Sequence, residues 1–160
     1  MKVRKAGKTD KDEIQALTDE LNVYRKKMFR SENKEFHERT GPQPHGKDKI
    51  FNEGLFFVAI NGDKNVIGFI HGTIDERKNH VFHVLGYIDE LFVKEEYRGE
   101  GVAKNLFLAL EKELKKQGCD HLVTHTDVEN DVSQQFYSRV GMTKTTIELW
   151  KKLRKSSGRT

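Results

Sequence analysis

Tyr97-Arg98-Gly99-Glu100-Gly101-Val102-Ala103 sets two glycines and an arginine between an apolar run and a helical pattern, an arrangement suited to holding an anion. Glycines just ahead of a helix let the backbone turn its free amides onto one point, where the helix dipole adds partial positive charge. Arg98 and Lys104 add full charges. A little upstream, Asp89 and Glu90 interrupt the apolar stretch Val84–Val93, where a charge is costly unless it is paired or used. They are candidates for a proton acceptor. Strict alternation along a strand sends them to opposite faces, so at most one points at a substrate directly. The bland alternative is a strand-face carboxylate paired to a neighbouring Lys or Arg.

The spacing of the glycine turn separates it from other phosphate loops. A Walker loop needs Lys and then Ser or Thr after its last glycine, and Val102-Ala103 stand there; a dinucleotide fingerprint needs glycine at Lys104. What remains is Arg98-x-x-Gly101-x-Ala103. This resembles the acyl-CoA pyrophosphate loop of the GNAT superfamily of N-acyltransferases, whose pattern is Gln or Arg, two residues, Gly, one residue, Gly or Ala. Further on, Asn130-x-x-Ser133-x-x-Phe136-Tyr137-x-x-x-Gly141-Met142 resembles the Asn-x-x-Ala-x-x-Phe-Tyr-x-x-x-Gly-Phe segment of the same family, with Ser133 and Met142 as departures. Asp127-x-Glu129-Asn130-x-x-Ser133-Gln134 is similar to a segment of aminoglycoside N-acetyltransferases in that superfamily, though such segments recur in relatives acting on other amines.

The resemblance implies acetyl-CoA as co-substrate, an amine as acceptor and no metal. It places the cofactor on Leu91, Phe92 and Val93, on the loop Arg98, Gly99, Glu100, Gly101, Val102, Ala103 and Lys104, and on Asn130 and Ser133. A main-chain amide within Leu91-Phe92-Val93 would hold the oxyanion where parallel strands splay. Tyr137 falls where the family carries a general acid, and a phenol of pKa about 10 stays protonated at neutral pH. The alternative is a tyrosine that only packs. For the base, Asp89 aligns with the carboxylate of many relatives; Glu90 reaches further and is preferred, directly or through water.

These groups need a scaffold, and the pattern supplies one. Residues 1–6 alternate weakly as a first strand, Thr9 or Asp10 caps a helix, and Ile14, Leu17, Leu21 and Tyr24 give that helix one apolar face. The stretch 25–49 is charge-dense, holds both prolines, and reads as a substrate-side flap or a plain loop. A hairpin turns at Asn61-Gly62-Asp63, a longer strand fills 80–93, and a helix runs from Val102 to Gln117, stopped by Gly118. Residues 121–126 form a strand parallel to its predecessor, a short helix follows from Asn130 or Asp131 to Gly141, and 142–150 alternate as a last strand. The fold class is α/β in the α+β sense. The order looks like the GNAT fold, a mixed, mostly antiparallel sheet with a splayed parallel central pair, flanked by helices. One N-acetyltransferase domain is expected over 1–155, with a flexible basic tail over 156–160.

Composition bounds the function less sharply. With 160 residues and 35% hydrophobic content the chain suits one domain. Its 29 Lys plus Arg against 25 Asp plus Glu give +4, too small an excess to choose between nucleic acid, an anionic cofactor and a soluble surface. A single cysteine, Cys119, and no long apolar span give the cytoplasm as the default and no membrane, with Cys119 read as an inert thiol. Seven histidines include His121 and His125 on one strand face, without the partners a metal site needs. The leading reading is transfer of an acetyl group from acetyl-CoA to a primary amine of a small molecule or peptide by direct attack in a ternary complex, in a protein compatible with a homodimer. A basic nucleic-acid or ribosome-associated module, drawing on Lys151-Lys152-Leu153-Arg154-Lys155, leaves the glycine loop unexplained. A silent acyl-CoA-binding protein would keep the loop and not need Tyr137.

Overall fold

The apolar run Leu55–Ile60 (β2) doubles back as Val66–Glu76 (β3) because Asn61 organises the turn: its side-chain oxygen accepts from the amides of Asp63 and Asn65 at 3.0 and 2.9 Å. Around this hairpin the computed structural model describes residues 1–28, 54–77, 81–149 and 151. Lys2–Lys5 (β1) pairs antiparallel with β2, and Val84–Val93 (β4) pairs antiparallel with β3. His121–Thr124 (β5) lies parallel to β4, giving the sheet order β1-β2-β3-β4-β5. Three helices complete the described residues: Lys11–Met28 (α1), Val102–Lys116 (α2) and Asp131–Arg139 (α3).

The two faces of the sheet bury different helices. Ile14, Leu17 and Leu21 of α1 close on Phe56, Val58, Val66, Phe69 and Phe92. On the other face Val102, Leu106, Phe107, Leu110 and Leu114 of α2 close on Phe57, Ile67, Ile70, Ile88 and Val93. Each such leucine or phenylalanine contributes about 1.5–3 kcal/mol through burial. Helix α2 sits low because glycines lie beneath it. A Cβ at Gly86 would meet Leu114 at 2.7 Å, and one at Gly72 would meet Leu110 at 2.8 Å. That close seat fixes the height of the helix whose N-terminus forms the glycine turn.

A half-buried ion pair joins β1 to the start of α1. Arg4 donates to both oxygens of Asp10 at 2.7 and 2.8 Å, and the Gly7 amide adds 2.7 Å, so Asp10 ties down the strand-to-helix corner across the turn Lys8–Asp10. The Arg4 hydrogen bond holds the Asp10 carboxyl below its ordinary value of 3.8 against the opposing cost of burial. Asp10→Asn is therefore expected to lose about 2 kcal/mol at pH 7, read by urea denaturation. A lowered folded-state pKa means the contribution is complete above about pH 4 and fades as pH falls through the folded-state value. The wild-type and variant stabilities should converge there; a gap that persists unchanged at pH 2 would refute the ionic origin.

Two expectations need correction. Arg25, Lys26, Lys27 and Met28 continue α1 rather than opening a loop, since basic residues in a helix's last turn favour its dipole; the rest of 25–49 lies outside the described residues. Residues 142–149 form no strand. Their alternation is real, but a strand needs an edge to pair with, and 143–149 are all exposed, Ile147 at 80% and Leu149 at 89%. The beginning of the 80–93 strand and the tail 156–160 also fall outside the described residues.

Candidate functional site

The site begins where β4 and β5 part. Their pairing runs from Leu85↔His121 to Ile88↔Thr124, and β5 then ends while β4 continues to Val93. Lys94 donates its amide to Ile67 of β3 at 3.0 Å, so alternation turns the main-chain groups of Val93 and Leu91 the other way, into the opening. Of the three residues expected to line it, Leu91 and Val93 offer amides; that of Phe92 faces β3.

Beside the opening, a β-bulge overturns the expectation that Asp89 and Glu90 diverge. Glu90 pairs with His71, yet the next pair is Ile88↔Gly72, so Asp89 is the extra residue. An inserted residue shifts the alternation by one. Both carboxylates consequently turn to the α1 face. Asp89 accepts from the Thr73 hydroxyl at 2.8 Å and lies 3.9 Å from Nδ1 of His71, a buried ring stacked 4.0 Å from Phe56. Glu90, 7% exposed, lies 3.5 Å from the Arg25 guanidinium of α1, whereas the side chain of Asp89 is 38% exposed.

The glycine turn has the form the sequence implied. Gly99 and Gly101 hold φ of 84° and 80°, left-handed values that favour glycine, and nothing lies within 4 Å of a Cβ built on either. Among the described residues no amide from Gly99 to Lys104 donates to a backbone acceptor, as the start of a helix requires. Free amides, open space and the dipole of α2 fit a pyrophosphate. Val102 is buried, Ala103 half-buried, and Glu100 and Lys104 exposed. Arg98 also ties the turn to its surroundings. Its Nε donates to the Val93 carbonyl at 3.0 Å, and its guanidinium carbon lies 4.7 Å from the Tyr24 ring and 5.6 Å from Phe92, fastening the turn to β4 and α1.

Across the opening stands Tyr137. Asn130 caps α3 by accepting from the Ser133 amide at 3.0 Å, so these two residues serve each other. The helix packs Phe136 edge-on to Phe107, with ring centres 6.2 Å apart, and brings Tyr137 to the tip of β5, where it is hydrogen-bonded to Thr124. The Thr124 hydroxyl in turn donates to the Ile88 carbonyl at 3.1 Å, the last pair before the strands part. Burial pushes the Tyr137 phenol above 10, only partly offset by Thr124 and the positive charge of Arg25. The group therefore stays protonated across the neutral range and remains able to donate.

Arg25, His71, Thr73 and Thr124 were not singled out from sequence. Arg25 had a signal, since it follows Leu21 by four residues on the same helix face. The others acquire meaning only through strand pairing. Elsewhere, His121 meets Phe82 at a tilt with ring centres 4.0 Å apart and His125 faces Tyr87 at 6.5 Å; among the described residues no three His, Cys, Asp or Glu converge on a metal-binding arrangement. Burial, then Asp120, pushes the Cys119 thiol up, away from a nucleophile's range. No described helix is long and apolar enough to cross a membrane.

Comparison with known proteins bears on the same region. Residues 19–142 match the acetyltransferase (GNAT) family. N-alpha-acetyltransferase 30 of Schizosaccharomyces pombe is 36% identical over 86 residues, 53% of this chain and 55% of the relative. The chain spans about half the length of the curated relatives it matches. Among solved structures, the aminoglycoside N-acetyltransferase AAC(6')-Iy in complex with CoA superposes with a TM-score of 0.72 at 21% identity, covering 96% of this chain and 99% of the other. The same enzyme with the bisubstrate analogue CoA-S-monomethyl-acetylneamine gives 0.68 at 23%, covering 96% and 97%.

Proposed function

The chain belongs to the acetyltransferase (GNAT) family, and from that premise we propose that it moves an acetyl group from acetyl-CoA to a primary amine of a peptide or small molecule, by direct attack in a ternary complex. The observation that carries this reading is the opening of β4, which sets the Leu91 and Val93 amides between the glycine turn, Tyr137 and two carboxylates. Acetyl-CoA supplies the activated acyl group. Amides from Gly99 to Lys104 hold its pyrophosphate. The Leu91 or Val93 amide donates to the carbonyl oxygen as negative charge builds there, and Tyr137 holds the proton that the departing sulfur takes. Asn130 and Ser133 support the reading indirectly, by fixing α3 and so Tyr137.

Glu90 was preferred for reach, but its ion pair with Arg25 favours Asp89, more exposed, as the acceptor of the amine proton through water. Separate Asp89→Asn and Glu90→Gln variants test this. Asp89→Asn should cut the rate about a hundredfold near pH 7 and much less near pH 10, where the free amine is abundant. Equal losses at every pH would assign the carboxylates to positioning.

For the acceptor, the name of the S. pombe relative favours a peptide α-amine. An α-amine of pKa near 8 is about one-tenth neutral at pH 7, whereas a lysine-like amine near 10.4 is neutral in fewer than about one molecule in a thousand. A weakly basic acceptor thus suits a site whose base is a carboxylate. The experiment is a panel of free and N-blocked peptides, aminoglycosides and polyamines, with CoA release as readout. Free peptides should react and blocked ones should not; no release with any amine would overturn the enzyme reading. A single domain over 1–155, cytoplasmic residence and a homodimer belong to the same proposal.

A further inference from the structure

A cation stands where the acceptor amine must arrive. Arg25 follows Leu21 by one turn of α1, and Leu21 is buried against the sheet, so Arg25 is carried over β4 on the face that holds Asp89 and Glu90. Its Nη1 lies 3.5 Å from Oε1 of Glu90, and its charge is felt by the Tyr137 phenol across the opening. By itself such a charge repels an ammonium and works against amine binding. Neutralising the buried Glu90 explains part of its presence. That task alone would favour a tight two-pronged bond, since guanidinium and carboxylate pair at about 2.8 Å, whereas here one nitrogen stands at 3.5 Å and the side chain is 35% exposed.

We propose that Arg25 selects the acceptor, its guanidinium donating to the carbonyl oxygen that lies one carbon from the amine in a peptide N-terminus or an aminoacyl amide. Such an acceptor presents an amine and an oxygen side by side. The opening meets them with a carboxylate at Asp89 and a donor at Arg25, set on one face by the bulge in β4 and the last turn of α1. A hydrogen bond from a charged donor is about twice as strong as a neutral one, so the oxygen turns the repelling cation into a binding group. An alkylamine or a polyamine has no oxygen there and meets the charge unrelieved. The inference rests on the acetyl-transfer reading and adds to it the class of acceptor and the residue that chooses it.

The test compares two acceptors of similar basicity, an alanine tripeptide amide with a free N-terminus and propargylamine, which has no oxygen. Arg25→Gln and Arg25→Lys both keep good helix formers at a half-exposed position, so both should fold with a native near-UV spectrum. Wild-type kcat/KM should favour the peptide. Arg25→Gln should cut that preference about thirtyfold, chiefly through the KM of the peptide, which is the scale of one lost hydrogen bond from a charged donor. Arg25→Lys keeps the charge beside Glu90 without the fork, and should recover the propargylamine rate more fully than the preference for peptide. Equal losses with both acceptors, both repaired by lysine, would overturn the proposal and leave Arg25 as the counter-ion of Glu90. Calorimetry of the peptide into the CoA-bound protein separates this failure from a failure of acetyl transfer. Peptide affinity should fall in Arg25→Gln whether or not acetyl moves; a variant that binds the peptide as well as wild type does would overturn the assignment.

Discussion

Tyr137→Phe is expected to lower turnover about a hundredfold while leaving CoA affinity unchanged. The ring packs at 5.3 Å from Phe136 and its loss would open the helix seat, but Phe keeps the ring and removes only the hydroxyl. What disappears is the donor beside Thr124, at the point where β4 and β5 part. Because burial holds the phenol above 10, the wild-type rate should show no loss from Tyr137 ionisation until alkaline pH, so the deficit in the variant should be constant from about pH 6 to 9. The readout is single-turnover acetyl transfer with a reactive amine, which excludes product release. Full activity under those conditions would return Tyr137 to packing.

Ala103→Asp should abolish measurable CoA binding. Two like charges about 4 Å apart at an effective dielectric near 20 repel by about 4 kcal/mol, roughly a thousandfold in affinity. The fold should survive, since a carboxylate in the first turn of α2 favours the dipole and can occupy the amides that otherwise await an anion. The variant should thus be at least as stable thermally as wild type while calorimetry detects no CoA. Unchanged affinity in the folded variant would remove the glycine turn from the cofactor site.

What the sequence disclosed follows from how local each requirement is. The glycine turn was legible because a left-handed backbone at Gly99 and Gly101 is a demand on single residues, met by glycine with little strain. The Asn130 cap and the end of α2 at Gly118 were legible for the same reason. The disposition of Asp89 and Glu90 was not, since the bulge arises from how β4 registers against Gly72 and His71, and alternation read along one strand cannot show it. Arg98 looked like a free charge for the cofactor; its bond to Val93 and its place against Tyr24 depend on elements far apart in sequence. At 142–149 alternation suggests a strand that the structure does not form, since pairing requires a second edge, which no pattern within the segment can supply.

The fastening of Arg98 has a thermodynamic consequence. It joins the glycine turn, the Val93 carbonyl and Tyr24 of α1, the helix that also carries Arg25 to Glu90. Free energy released when the turn is gripped is therefore shared with the helix that walls the acceptor side. Linkage is reciprocal: a ligand that steadies α1 must raise affinity at the turn by the same factor with which occupancy of the turn raises its own. In a steady-state experiment that coupling takes the form of synergy, the apparent KM for each substrate falling as the other approaches saturation, and shortening Arg98 would make the two bind as strangers.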